Sequence, residues 1–164
     1  MLNSLISKAI QMGINRIKYK KLFFTFFSCI ILFVDLSADT IYINPEYQHK
    51  FQNGTKEYPF ENWHQFEITS GNVYLQKRNT TSNLKDNIFI KGINNCLLGA
   101  YGKGKDPVLV YKGNKRLFDI YYAKNFRISN LNFKLERGAI CAVKYGDNSE
   151  NCIIDSCKID GGKW

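Results

Sequence analysis

The chain has 164 residues, room for one domain, and its 45% hydrophobic against 23% charged residues excludes a disordered polymer. The formal charge of +9 suits anionic partners, although part of it lies in a segment expected to be removed. Five cysteines and two histidines do not follow the two close pairs of a zinc framework.

The first element is "RIKYKKLFFTFFSCIILFVDLSADT", Arg16 to Thr40. Arg16, Lys18, Lys20 and Lys21 precede a 13-residue apolar run, Leu22 to Val34. Asp35 ends the run, and Leu36 to Ala38 offers small residues for cleavage. Thirteen helical residues cover roughly 20 Å, short of a ~30 Å hydrocarbon core. The pattern predicts a signal peptide over 1–38, with Met12 as an alternative start. An uncleaved anchor would export the remainder equally. The exported part, 126 residues of about +5 charge, favours acidic glycans or anionic surfaces over nucleic acid. A basic surface that is simply solvated accounts for that charge as well.

From Asp39 onward no apolar pattern of helical period is sustained. Alternating runs follow one another: "TIYIN" (Thr40 to Asn44), "NVYLQ" (Asn72 to Gln76), "NIFIKG" (Asn87 to Gly92) and "PVLVY" (Pro107 to Tyr111). Then come "FDIYY" (Phe118 to Tyr122), "FRISNLNF" (Phe126 to Phe133), "AICAVKY" (Ala139 to Tyr145) and "CIIDSCKI" (Cys152 to Ile159). Period-two runs broken by Gly, Asn and Asp predict strands and turns, hence an all-β chain.

Repeats decide among the all-β architectures. Asn125, Phe126, Ile128, Leu131 and Phe133 superimpose on Asn151, Cys152, Ile154, Cys157 and Ile159. "DNIFIKGIN" from Asp86 fits the same frame, with Asn87 on Asn125, Ile88 on Phe126 and Lys91 on Ser129. Each triplet turns two apolar side chains inward, and polar pairs such as Ser129-Asn130 and Asp155-Ser156 bend the chain. One such coil has no closed core. Stacked coils bury each apolar residue between its equivalents, which predicts a solenoid.

Three further stretches carry a resemblance. "IYINPEYQHKFQNGTKEYPFENWHQF" (Ile41 to Phe66), "SGNVYLQKRNT" (Ser70 to Thr80) and "GAYGKGKDPVLV" (Gly99 to Val110) resemble, in order and spacing, secreted right-handed parallel β-helix proteins of the pectate-lyase-like superfamily. Asn72 and Asn79 depart from its common Asp and Gly. The resemblance implies a right-handed parallel β-helix with an N-terminal capping segment over 39–85 and coils over 86–164. Relatives include polysaccharide lyases, glycoside hydrolases, epimerases and noncatalytic surface modules, so the fold alone does not fix a function. It implies an acidic polysaccharide as partner, no membrane span once the signal is cleaved, and a possible Ca²⁺ requirement.

The candidate chemistry is sparse. Lyase chemistry needs converging carboxylates around a cation and a basic residue as base, and hydrolysis needs two paired carboxylates. Asp147, Glu150, Asp155 and Asp160 lie near Arg137, Lys144 and Lys158, but only Asp155 takes an outward repeat position. These read as turn and surface polarity, leaving catalytic and metal residues unassigned. His49 and His64 lie far from the acids. Phe118, Phe126 and Phe133 fit inward positions, while Tyr121, Tyr122 and Trp164 fit surface contacts. Export permits disulfides among Cys96, Cys141, Cys152 and Cys157. The inward or near-inward places of the last three suit packing as well. No capping sequence accompanies "DGGKW", so the chain reads as the first part of a longer β-helix with any catalytic face beyond Trp164.

Overall fold

The computed structural model describes residues 38–136 and 138–161, so residues 1–37 of the expected signal sequence, Arg137 and Trp164 lie outside them. The described residues form twelve short strands and no helix. In chain order these are β1 (Thr40–Ile43), β2 (Val73–Lys77), β3 (Thr81–Leu84), β4 (Ile88–Lys91), β5 (Asn94–Tyr101) and β6 (Val108–Tyr111). They continue as β7 (Arg116–Tyr121), β8 (Lys124–Ser129), β9 (Asn132–Leu135), β10 (Cys141–Tyr145), β11 (Ile153–Asp155) and β12 (Ile159–Gly161).

Every named pairing is parallel and joins strands about one coil apart. A first face stacks β1-β2-β5-β8-β11, a second β3-β6-β9-β12 and a third β4-β7-β10. The chain visits the faces in turn, so it is a three-sided parallel β-solenoid of the kind expected from the alternating runs. Along the first face Val73 pairs Leu97, Leu97 pairs Arg127 and Arg127 pairs Ile153, steps of 24, 30 and 26 residues. Corner loops absorb the unequal steps.

Inward side chains form columns. Ile41, Tyr74, Leu98, Ile128 and Ile154 stack on the first face, Leu109, Phe133 and Ile159 on the second, and Ile90, Ile120 and Tyr145 on the third. Phe118, Phe126 and Phe133 are buried as expected. Each fully buried apolar side chain of this size contributes roughly 1.5–3 kcal/mol.

The register confirms the pairing of Ile128 with Ile154 and Phe133 with Ile159, and corrects the third copy. "DNIFIKGIN" lies on the third face, where Ile88 pairs Phe118 and Lys91 pairs Tyr121. The true predecessor of Phe126 is Cys96, and that of Ile128 is Leu98. The corner at the start of β2, β5, β8 and β11 explains the error. Gly71, Asn95, Asn125 and Asn151 hold φ of +82°, +54°, +51° and +51° there, whereas Asn87 does not adopt left-handed backbone. Asn tolerates this region because its short amide bonds locally. Here the amides bond to one another: Asn151 Nδ2 donates to Asn125 Oδ1 (2.7 Å) and Asn125 Nδ2 to Asn95 Oδ1 (2.9 Å).

The segment between β1 and β2 folds over the first coil. Gly54, at φ +81°, passes so close to Phe60 that a Cβ would lie 2.6 Å from its ring. Asn53 Oδ1 accepts the Thr55 N–H (3.1 Å) and the Thr55 hydroxyl (2.8 Å), which fixes that turn. Trp63 enters the bore, edge-on to Phe118 at 6.0 Å, and Phe118 meets Phe133 edge-on at 6.2 Å. The Trp63 indole N–H donates to Gln76 Oε1 (2.6 Å), which also accepts the Ser82 hydroxyl (3.0 Å). Gln76 Nε2 donates to Thr80 Oγ1 (3.2 Å), so this fully buried amide is satisfied at both ends.

At the other end Ile154 is 39% and Ile159 54% exposed, although their partners Ile128 and Phe133 are buried. No helix among the described residues is long and apolar enough to cross a membrane.

Candidate functional site

Outward positions of the third face carry its chemistry. Alternation along β4 sends Ile88 and Ile90 inward and leaves Phe89 and Lys91 exposed. Phe89 is in register with Asp119, and Asp119 with Lys144; Lys91 is in register with Tyr121. Stacking three coils therefore sets aromatic and basic side chains side by side. The Phe89 and Tyr121 ring centroids lie 5.8 Å apart at 39°. Lys144 Nζ donates to the Tyr121 hydroxyl (2.8 Å) and lies 4.8 Å from its ring centroid, a cation–π distance. Lys91 Nζ is 5.6 Å from the centroid of the exposed Tyr122.

Asp119 interrupts the strip. Arg116 Nη1 donates to its Oδ2 at 3.4 Å, and its Oδ1 is buried with no hydrogen-bond partner among the described residues. Cys141 sits in this group. Burial pushes its thiol pKa up, Asp119 pushes in the same direction, and Arg116 and Lys144 pull it down. The thiol therefore stays protonated near neutral pH and is no activated nucleophile.

A groove of about 340 Å³ opens where the strip meets the capping segment. Trp63, Phe66 and Ile68 give it an apolar wall, with His64, Glu67, Asn87, Phe89 and Lys91 around the rim. Its size is that of a small-molecule site. Tyr74 braces the wall, its hydroxyl donating to the Glu67 carbonyl (3.1 Å) and accepting the Thr69 N–H (2.8 Å).

The acids named from the sequence do not come together. Asp155 forms a two-bond ion pair with Arg127, Nε to Oδ1 and Nη2 to Oδ2 both at 2.8 Å. Glu150 pairs with Lys124 at 3.1 Å, Asp160 lies in register with Lys134, and the Asp147 carbonyl accepts the Tyr122 N–H (3.2 Å). Arg127 and Asp155 thus fasten β8 to β11 across coils. Asp155 follows Ser129 in its column rather than Lys91, and Asp119 and Asp160 are further carboxylates in repeat positions. Among the described residues no three His, Cys, Asp or Glu side chains converge on a point that could hold a metal. These residues do not fit a calcium site.

The four cysteines among the described residues, Cys96, Cys141, Cys152 and Cys157, are free thiols. Cys96 is buried in the core, where desolvation pushes its pKa up to about 12. Cys152 Sγ approaches the Ala123 carbonyl (3.6 Å) and Cys157 Sγ that of Ile128 (3.8 Å), at opposite ends of a neighbouring strand, so packing describes these two better than pairing. His49 is exposed, its Nδ1 accepting the Phe51 N–H (3.2 Å). His64 borders the groove, a role its sequence neighbourhood gave no sign of, because the contact crosses more than twenty residues to β4.

Compared with known proteins, the chain matches no family model, no curated protein and no solved structure.

Proposed function

We propose that the chain is an exported β-helix protein that binds an acidic polysaccharide along its third face. The single observation that carries this reading is the strip in which Phe89 and Tyr121 lie beside Lys91 and Lys144. Sugars present C–H faces to aromatic rings and, when acidic, carboxylates or sulfates to ammonium groups. A row of both at coil spacing suits a repeating polymer better than a single small ligand. Export rests on the basic stretch before the apolar run Leu22 to Val34, and the positive balance of the remainder favours an anionic polymer. Binding, rather than lyase or hydrolase chemistry, is favoured because Asp119, Glu150 and Asp155 are each paired with arginine or lysine and no cluster of acidic side chains converges among the described residues.

The test is electrophoresis of the full-length chain, produced in a secreting host, through gels containing polygalacturonate, alginate, chondroitin sulfate or neutral glucan. Retardation is expected in at least one acidic gel, weakening as salt rises. Tyr121→Ala and Lys144→Ala are each expected to weaken it about tenfold. Equal retardation by neutral glucan, or none in any gel, sinks the reading. Release of unsaturated uronate, followed by absorbance with and without Ca²⁺, would replace binding with lyase catalysis.

A further inference from the structure

The corner that returns each coil from the third face to the first lies in left-handed backbone. Gly92 holds φ +71°, Tyr122 +55° and Asn148 +56°. Glycine enters this region freely and asparagine with little strain, but a bulky aromatic residue does not. Beyond one exposed cation–π contact with Lys91, the fold gains nothing evident from the ring. Tyr122 is 45% exposed and lies within stacking distance of no other ring among the described residues. Its N–H donates to the Asp147 carbonyl (3.2 Å), a bond that glycine or asparagine would also make. A strained, exposed aromatic flanked by the two residues best suited to its backbone marks a side chain kept for something outside the fold.

What surrounds it points to a ligand. Lys91 Nζ lies 5.6 Å from the Tyr122 ring, and Lys91 also borders the groove beside the capping segment. β4 is an edge strand of the third face, the one beside the capping segment, and pairs only with β7. Gly92 donates its N–H to the Tyr121 carbonyl (3.0 Å), so alternation turns the N–H and C=O of Phe89 and Lys91 the other way, toward the groove. No described residue bonds to them there. One corner thus joins an exposed ring, an ammonium group and unpaired backbone donors and acceptors.

We infer that Tyr122 is held in strained backbone for its ring, and that with Lys91 and the free edge of β4 it forms a terminal sugar site. This rests on the glycan-binding reading of the third face. The apolar face of a carboxylate-bearing sugar stacks on Tyr122, its carboxylate pairs with Lys91, and hydroxyls of the next unit meet the backbone of Phe89 and Lys91 in the groove. The groove then receives one end of a chain whose length follows the strip.

The test sets stability against binding in the full-length chain from a secreting host. Tyr122→Gly and Tyr122→Asn are compared with the parent by thermal melting and by calorimetric titration with trigalacturonate. Relief of strain is expected to raise Tm by about 4 °C, while loss of the ring weakens trigalacturonate about tenfold. Lys91→Ala is expected to weaken it to a similar extent and to lower its salt dependence. A fall in Tm in both Tyr122 variants would mean the ring supports the fold, overturning the inference. So would unchanged affinity in both. Retention on polygalacturonate gels that needs Tyr121 and Lys144 but not Tyr122 would sink the terminal site and leave the third-face reading standing. If the parent binds neither the polymer nor the trisaccharide, both fail together.

Discussion

The two ends of the stack use the same coil and treat it differently. At the first coil Trp63 fills the bore, Phe66 stacks on Tyr74 at 5.3 Å, and Gln76 satisfies the indole from within. At the last coil the inward positions are held by Cys152, Ile154, Cys157 and Ile159, and both isoleucines stand more than a third exposed. The difference teaches that a β-solenoid residue is buried by its neighbours along the axis, not by its own coil. Ile128 and Ile154 occupy one column, yet only the former is sealed on both sides.

The widest test of this contrast is a pair of truncations. Trp63→Ala removes a fully buried side chain and is expected to cost about 3–5 kcal/mol, whereas Ile159→Ala is expected to cost about 1 kcal/mol or less because the side chain is already half in water. Urea midpoints of the two variants check this, and similar losses would break the comparison. A smaller effect should follow Gln76→Leu, which leaves the Trp63 N–H and the Ser82 hydroxyl buried without their acceptor. A loss of about 1–3 kcal/mol is expected, with faster amide exchange over β2 and β3 before β8 and β9. Exchange that accelerates evenly would mean the capping network is not local.

The smallest effect concerns the last coil's own fastening. Hydrogen bonding from Arg127 holds the Asp155 carboxyl below its usual value of 3.8. A depressed carboxyl pKa adds stability above the unfolded value and loses it as pH falls through the folded one. Acidification from about pH 5 to about pH 2.5 should therefore destabilise the parent slightly more than Asp155→Asn. Both groups are partly exposed, so the expected shift in urea midpoint is small. Parallel pH profiles would show that the pair adds nothing.

Much of this architecture was legible in the residues. Alternation gave the strands, and the doubled pattern around Phe126 and Cys152 gave the stacking, because columns of like residues must recur wherever coils share a core. The frame of the third copy was not legible, since all three faces alternate with the same period and "NIFIK" looks like any of them. What separates them is backbone: Asn95, Asn125 and Asn151 are left-handed and Asn87 is not. Tyr121 and Tyr122 could be read as surface aromatics. Their company could not, because Phe89, Lys91, Lys144 and the capping segment reach them only through coil closure. Asp119 was missed for the same reason.

The asparagine ladder has a direction. Both of its hydrogen bonds donate toward the first coil, so the row has a polarity like that of a zip fastener. It begins beside Gly71, which has no side chain to offer, and Asn151 Oδ1 accepts from no described residue. A matching surface laid against the last coil could therefore not be an arbitrary apolar plate. To continue the row it would need an amide donor at that corner, on backbone of the same hand. The ladder thereby discriminates among possible neighbours by one hydrogen bond, at the edge where the bare isoleucines would accept almost any of them.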